Sequence, residues 1–353
     1  MQRKELLEML TNEVPDFSGK NLYIWGTGNT AALYQKGLKR VSLGNIKGYC
    51  DNHPKASCFE GFKVFSPQEL CCDKDAYVLL CTPQPDLILK IGTQLDAMDM
   101  QWCLIEEAIL KKYSSEVMKC YDLLDDEESK RTYAKLVECR LRGAYPDTQV
   151  CESEQYFHMP QFTRRPLGKT FIDCGAFVGD SLEKYIWNQG GVFDQIIAFE
   201  PDPENFKALE VRRKRLLQEW NLAEDSVQIV QAGVGHENEE IHFERADSGL
   251  GSKFMSESSD TGNNSMVVAL DDYLKEPYSF LKADIESYEY NMLLGASKGI
   301  KKWKPDLALS IYHNAVDFFS LIQLIHSMVP EYKFIVRHHL YTLAETVLYA
   351  WVE

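Results

Sequence analysis

Two strand ends, 27 residues apart, constrain this chain more than any other feature of its sequence. Phe171-Ile172-Asp173-Cys174 reads as a buried strand that stops on an acid. Gly175-Ala176-Phe177-Val178-Gly179 follows as a turn, and Asp180-Ser181 opens a helix. Gly175 permits a backbone conformation closed to other residues, and Gly179 allows close approach to the first helical turn. The free N–H groups of that turn offer donors to a ligand's polar tail. A second strand, Ile196-Ile197-Ala198-Phe199, ends on Glu200. An acid in that place can accept both ribose hydroxyls of a nucleoside.

The remaining strands set the fold class. After Val227-Gln228-Ile229-Val230 come Phe280 to Asp284, Leu307 to Ile311, Tyr332 to Arg337 and Thr346 to Val352. The few residues between the last two leave no room for a crossover helix, so these two pair antiparallel. The expectation is an α/β fold with six parallel strands and a seventh, antiparallel strand at the chain's end. Helices lie between: one starts at Pro203, capped by Asp202, and carries Arg212-Arg213-Lys214-Arg215, and another runs over about 317–328.

A second glycine turn stands earlier. Asn21-Leu22-Tyr23-Ile24-Trp25 is a strand run, and Gly26-Thr27-Gly28-Asn29-Thr30-Ala31 follows it in the context a dinucleotide fingerprint requires. Asp51, after the strand Asn45–Cys50, sits like a ribose-binding acid. The expected organisation is a small Rossmann-like domain over 1–112, a helical connector over 113–166 and the larger α/β domain over 167–353. Gly26, Gly28, Asn29 and Asp51 mark a candidate nucleotide or nucleotide-sugar site, with a merely structural turn as the alternative. The connector helix starts on acids and ends at Gly143 and Pro146. The aromatic segment Tyr156-Phe157-His158-Met159-Pro160 with Phe162 is expected to be a linker along the surface, with cover over the site as the alternative.

A net charge of −15 argues against a nucleic-acid partner, which needs a positive field. No run of 18 apolar residues indicates a membrane span. The first residues alternate charge and leucine without the apolar core of a signal peptide, so a cytoplasmic protein is expected. All ten cysteines lie between Cys50 and Cys174 without zinc spacing, and read as reduced core thiols.

From about Ser114 to its end the chain resembles the FkbM-type methyltransferases, a family of seven-stranded, Rossmann-like S-adenosylmethionine-dependent enzymes. The resemblance rests on Phe171 to Asp180, on Phe199-Glu200-Pro201-Asp202-Pro203, on Leu270-Asp271-Asp272-Tyr273-Leu274 and on Leu281-Lys282-Ala283-Asp284-Ile285-Glu286. Ser287 stands where the family commonly has glycine. The resemblance implies O-methylation of a sugar, glycan precursor or secondary metabolite, with S-adenosyl-L-methionine as donor. Its methionine tail would sit over Asp173, Gly175, Ala176, Phe177 and Gly179, with its ammonium near Asp173 and with Asp180 and Ser181 beside it. Glu200 would hold the ribose, Pro201 and Asp202 would border the adenosine, and Gln231 and Ala232 would flank the adenine.

A hydroxyl acceptor must lose its proton as the new bond forms. His313, after the fifth strand, and Asp284, at the end of the fourth, are the candidate bases, and Glu286 is the candidate acceptor-positioning residue. Asp284, Glu286 and His313 also offer magnesium ligands, but nothing fixes their geometry, and metal independence is the expectation. The loop Ser248 to Lys253 is a further candidate for contact with donor or acceptor. Two other readings stand beside the enzyme: a non-catalytic nucleotide-sugar-binding module of a glycan assembly system, and an NAD-dependent oxidoreductase built on the first domain. The acceptor is expected to be a small hydroxylated, sugar-containing molecule. The oligomeric state is left open.

Overall fold

The computed structural model describes residues 2–159, 162, 170–244, 253–255 and 264–353. The chain divides into two compact units. The first is Met1–Cys151 with Ile311–Ser320 and Val336–Thr346, and the second is Glu152–Ser310 with Leu321–Ile335 and Val347–Glu353. The helices expected as a connector therefore fall in the first unit, and the aromatic segment falls in the second.

The first unit is built on a six-stranded sheet of β1 (Asn21–Trp25), β2 (Asn45–Cys50), β3 (Cys58–Phe59), β4 (Phe62–Phe65), β5 (Ala76–Leu80) and β6 (Gln101–Leu104). Their order is β3-β4-β2-β1-β5-β6. All pair in parallel except the short β3, which turns back on β4. Buried β-branched, leucine and aromatic side chains such as Tyr23, Trp25, Val78 and Leu80 pack one face. The helix Glu127–Arg142 has both expected ends: Asp126 accepts from the N–H of Ser129, and Gly143 closes it at φ +60°.

The second unit is framed by a seven-stranded sheet of β7 (Thr170–Cys174), β8 (Gln195–Phe199), β9 (Val227–Val230), then β14 (Phe280–Ala283), β15 (Asp306–Ser310), β16 (Lys333–His338) and β17 (Thr346–Trp351). The order is β16-β17-β15-β14-β7-β8-β9. β17 inserts antiparallel to β15, as the short final connection requires, while β7, β8, β9, β14 and β15 run in parallel. β7 lies between β8 and β14, where the strand order reverses, and ligands of open α/β sheets bind beyond the carboxyl ends at such a point.

Four strands form a second, smaller sheet: β10 (Gly233–Gly235), β11 (Glu239–Glu244), β12 (Lys253–Met255) and β13 (Asn264–Ala269), in the order β10-β13-β11-β12. The sequence reading gives these segments no sheet of their own. Charged residues such as Glu239 and Glu240, and polar stretches between short strands, hide the alternation that marks a strand.

The aromatic segment corrects another expectation. Tyr156, Phe157, Met159 and Phe162 are all buried and belong to the core cluster with Phe171, Tyr185 and Phe280. Phe157 meets Phe171 edge-on at 5.5 Å and Phe280 at 5.6 Å. A run this aromatic buries too much apolar area to lie on the surface. Of the cysteines, Cys50, Cys81, Cys103, Cys120, Cys139 and Cys174 are buried as expected, but Cys58 and the adjacent pair Cys71-Cys72 are exposed.

Candidate functional site

The turn after β7 is defined by backbone geometry. Gly175 sits at φ +80°, and a Cβ there would come within 2.1 Å of the carbonyl oxygen of Asp284. The N–H groups of Gly175 and Ala176 both donate to the carbonyl of Phe199 at 3.0 Å, and the N–H of Asp284 donates to the carbonyl of Cys174 at 3.1 Å. The ends of β14, β7 and β8 are thus tied to one another through the main chain. Gly179, at φ +86°, opens the helix Asp180–Asn188, and a Cβ there would stand 2.8 Å from Leu209. Phe177 also adopts a positive φ, +48°.

Beneath the turn lies a fully buried charge pair. Asp173 accepts from the hydroxyl of Ser181, and its Oδ1 is 3.1 Å from the Nζ of Lys282. That same Nζ donates to the carbonyl of Gly175 at 2.7 Å. Burial works against the charge on Lys282, yet the attraction of Asp173 and Asp284 outweighs it and raises the pKa above the lysine range. Burial raises the Asp173 carboxyl, and the Lys282 ammonium beside it works the other way. Asp173 is thus buried under the turn, with Oδ2 bonded to Ser181 and Oδ1 in ion-pair reach of Lys282 but without a hydrogen bond of its own.

Glu200 terminates β8 with 5% of its surface exposed. Its Oε2 accepts from the N–H of Phe177 at 2.8 Å, and its Oε1 from the N–H of Asp202 at 2.9 Å. Burial pushes its pKa up to about 7, against those two backbone donors and the Asn205 amide. Asp202 is buried, and its Oδ1 accepts from Glu204 and Asn205, so it caps the helix Pro203–Glu219 and does not present a free carboxylate to an adenosine. Pro201 is half-buried between them, and Asp180 is exposed at the start of its helix. Gln231 is exposed beyond β9 and Ala232 is buried.

Asp284 and Glu286 follow β14 and are half-buried. Glu286 and Ser287 hold φ of +55° and +69°. Ser287 thus adopts the conformation that favours glycine, and the turn persists without one. Glu289, buried at the start of the next helix, accepts from the N–H of Ile285 at 2.8 Å, and its carboxylate oxygen lies within 4.8 Å of that of Asp284. The hydroxyl of Tyr156 donates to Oδ2 of Asp284 at 3.3 Å. The sequence reading missed Tyr156, Lys282 and Glu289 as contributors to this site. Only the aromatic run around Tyr156 signalled the first. His313, buried with its ring tilted at 38° against that of its neighbour Tyr312, centroids 4.2 Å apart, follows β15 in the stretch that belongs to the first unit.

In the first unit, Gly26 takes φ +122° and Gly28 begins the helix Asn29–Leu38. Asp51 does not offer a free carboxylate: its Oδ2 accepts from both the N–H and the hydroxyl of Thr27, at 3.0 and 2.8 Å. The loop Ser248 to Ser252 lies outside the described residues, and of Lys253 only the backbone is described.

Residues 173–337 match the family described as the methyltransferase FkbM domain. The fold is similar to that of a methyltransferase FkbM from Methylobacillus flagellatus KT, with 19% identity, 99% of this chain and 98% of that chain covered, and a TM-score of 0.61. An rRNA methylase from Streptococcus thermophilus is 13% identical over 55% of this chain and 93% of its own, at a TM-score of 0.35. A putative methyltransferase from Streptococcus mutans, solved in complex with SAH, is 12% identical over 54% and 94%, at 0.33. No curated protein matches. Among the described residues no helix is long and apolar enough to cross a membrane.

Proposed function

Because residues 173–337 carry an FkbM-type methyltransferase domain, we propose that the chain methylates a hydroxyl of a small, sugar-containing or otherwise hydroxylated acceptor, with S-adenosylmethionine as donor. The observation that carries this reading is the meeting of the Gly175 turn, Glu200 and Asp284 at the carboxyl ends of three adjacent strands. The donor set fits the proposed cofactor. Glu200 would take the ribose hydroxyls, the backbone from Gly175 to Gly179 the methionine portion, and Gln231 and Ala232 the adenine. Bound there, S-adenosylmethionine supplies an electrophilic methyl group.

The chain's own residues supply position and proton transfer. Asp284 ends β14 beside the turn, where a carboxylate can accept the acceptor hydroxyl's proton as the bond forms. Glu286, two residues further on, would hold the acceptor, since alignment of the reacting atoms lowers much of the barrier. The oxidoreductase reading gains no support from the family match, which covers residues 173–337 and not the Gly26–Ala31 turn.

Two measurements test the proposal. Calorimetry with SAH as probe should show binding to the full chain and at least tenfold weaker binding to Glu200→Ala. Incubation of the protein with isotopically labelled S-adenosylmethionine and an extract of the source cell should label a hydroxylated small molecule, read by mass spectrometry. No SAH binding and no labelled product would overturn it.

A further inference from the structure

Tyr156 has a backbone that is costly to hold. Its φ of +74° is an outlier for a bulky side chain, of the kind that persists only where the surroundings over-determine it. Those surroundings are visible. The N–H of Tyr156 donates to the hydroxyl of Tyr349 at 2.9 Å, and the next residue, Phe157, is wedged among Phe171, Tyr185 and Phe280. Held from both sides, the buried ring lies 5.5 Å from the ammonium of Lys282, and its hydroxyl reaches Oδ2 of Asp284. A buried phenol needs some acceptor, and a main-chain carbonyl would serve. Here it meets instead the half-buried carboxylate at the end of β14.

We infer that Tyr156 is a positioning residue for methyl transfer: its hydroxyl orients the Asp284 carboxylate toward the acceptor. The inference rests on the methyltransferase reading for its purpose, but the pairing itself can be tested alone. Within the second unit, Lys282 on the preceding strand attracts Asp284, and the carboxylate of Glu289 on the following helix lies within 4.8 Å of it. Lys282 favours the anion and Glu289 opposes it, so a directed donor decides which oxygen stays fixed. A hydroxyl that donates to a carboxylate also stabilises its charged form, whereas a ring that only fills space does not.

The test uses the full chain labelled with carboxyl-13C aspartate, and the Asp284 resonance is assigned by its absence in Asp284→Asn. In Tyr156→Phe the Asp284 carboxyl should titrate about one pH unit higher than in the wild type, the size expected for loss of one hydrogen bond to a charged group. Fluorotyrosine at position 156, a stronger donor that keeps the ring, should move it lower. An unchanged titration in both proteins overturns the inference; if the phenylalanine variant fails to fold, the fluorotyrosine protein decides alone. SAH affinity, measured on the same samples, should stay within twofold of wild type in Tyr156→Phe. Loss of SAH binding in the wild type would sink the methyltransferase reading and leave the Tyr156–Asp284 pairing to its own result.

Discussion

The Nζ of Lys282 donates to the carbonyl of Gly175 at 2.7 Å while it pairs with Asp173, so one buried cation holds both the acid that ends β7 and the turn that follows it. Removal of a single partner from a buried pair leaves a charge with no compensation, which costs about 3–5 kcal/mol. Lys282→Met is therefore expected to lower stability by about that amount and to weaken SAH binding at least tenfold. Urea unfolding of the full chain and calorimetry check the two effects. Retained SAH affinity would show that the turn keeps its shape without the ammonium.

Gly175→Ala should be more damaging to binding than its single methyl group suggests. The new Cβ would lie 2.1 Å from the Asp284 carbonyl oxygen, at a φ of +80°. Both obstacles are main chain, so no side-chain rotation relieves them. The left-handed conformation costs about 1–2 kcal/mol and the overpacking about 1–3 more. The expected result is a protein about 2–5 kcal/mol less stable, with no measurable SAH affinity.

These two positions also show how much of the site was legible beforehand. Gly175 and Glu200 stand at strand ends with strong apolar periodicity, and a turn glycine and a terminal acid carry their geometry with them. The ion pair of Asp173 with Lys282 was not legible, because a pairing across β7 and β14 leaves no mark in local spacing. Tyr156 was misjudged for a related reason: an aromatic run outside any strand or helix has no periodicity to say which way it faces. The antiparallel β17 was readable from loop length alone, while the four-stranded sheet, made of short and partly charged strands, was not.

Ser287 offers a prediction about strain. It is buried at φ +69°, a region that bulky and β-branched residues avoid. Ser287→Gly should fold with stability equal to or above the wild type. Ser287→Val should lose about 1–3 kcal/mol, as strain and crowding add. Thermal melts of the two variants, which bracket the wild type, provide the check. A valine variant as stable as the glycine variant would mean that the turn relaxes to another conformation.

Glu200 makes the pH dependence calculable in sign. Its carboxyl is pushed from an ordinary 4.5 up to about 7 by burial. Below 4.5 the folded and unfolded states both hold the proton, and above 7 neither does. Between these limits only the folded state holds it, so this residue's contribution to stability falls as pH rises from 4.5 to 7 and then stays level. The full fall is on the order of 3 kcal/mol. Glu200→Gln should remove that slope from a series of urea unfolding curves. Binding runs the other way, because an ionised carboxylate is the better acceptor for two ribose hydroxyls. SAH affinity of the wild type should rise as pH passes upward through about 7, while that of Glu200→Gln stays flat and weak. Opposed slopes for stability and affinity, both abolished by one substitution, would identify Glu200 as the titrating group; parallel slopes would place it elsewhere.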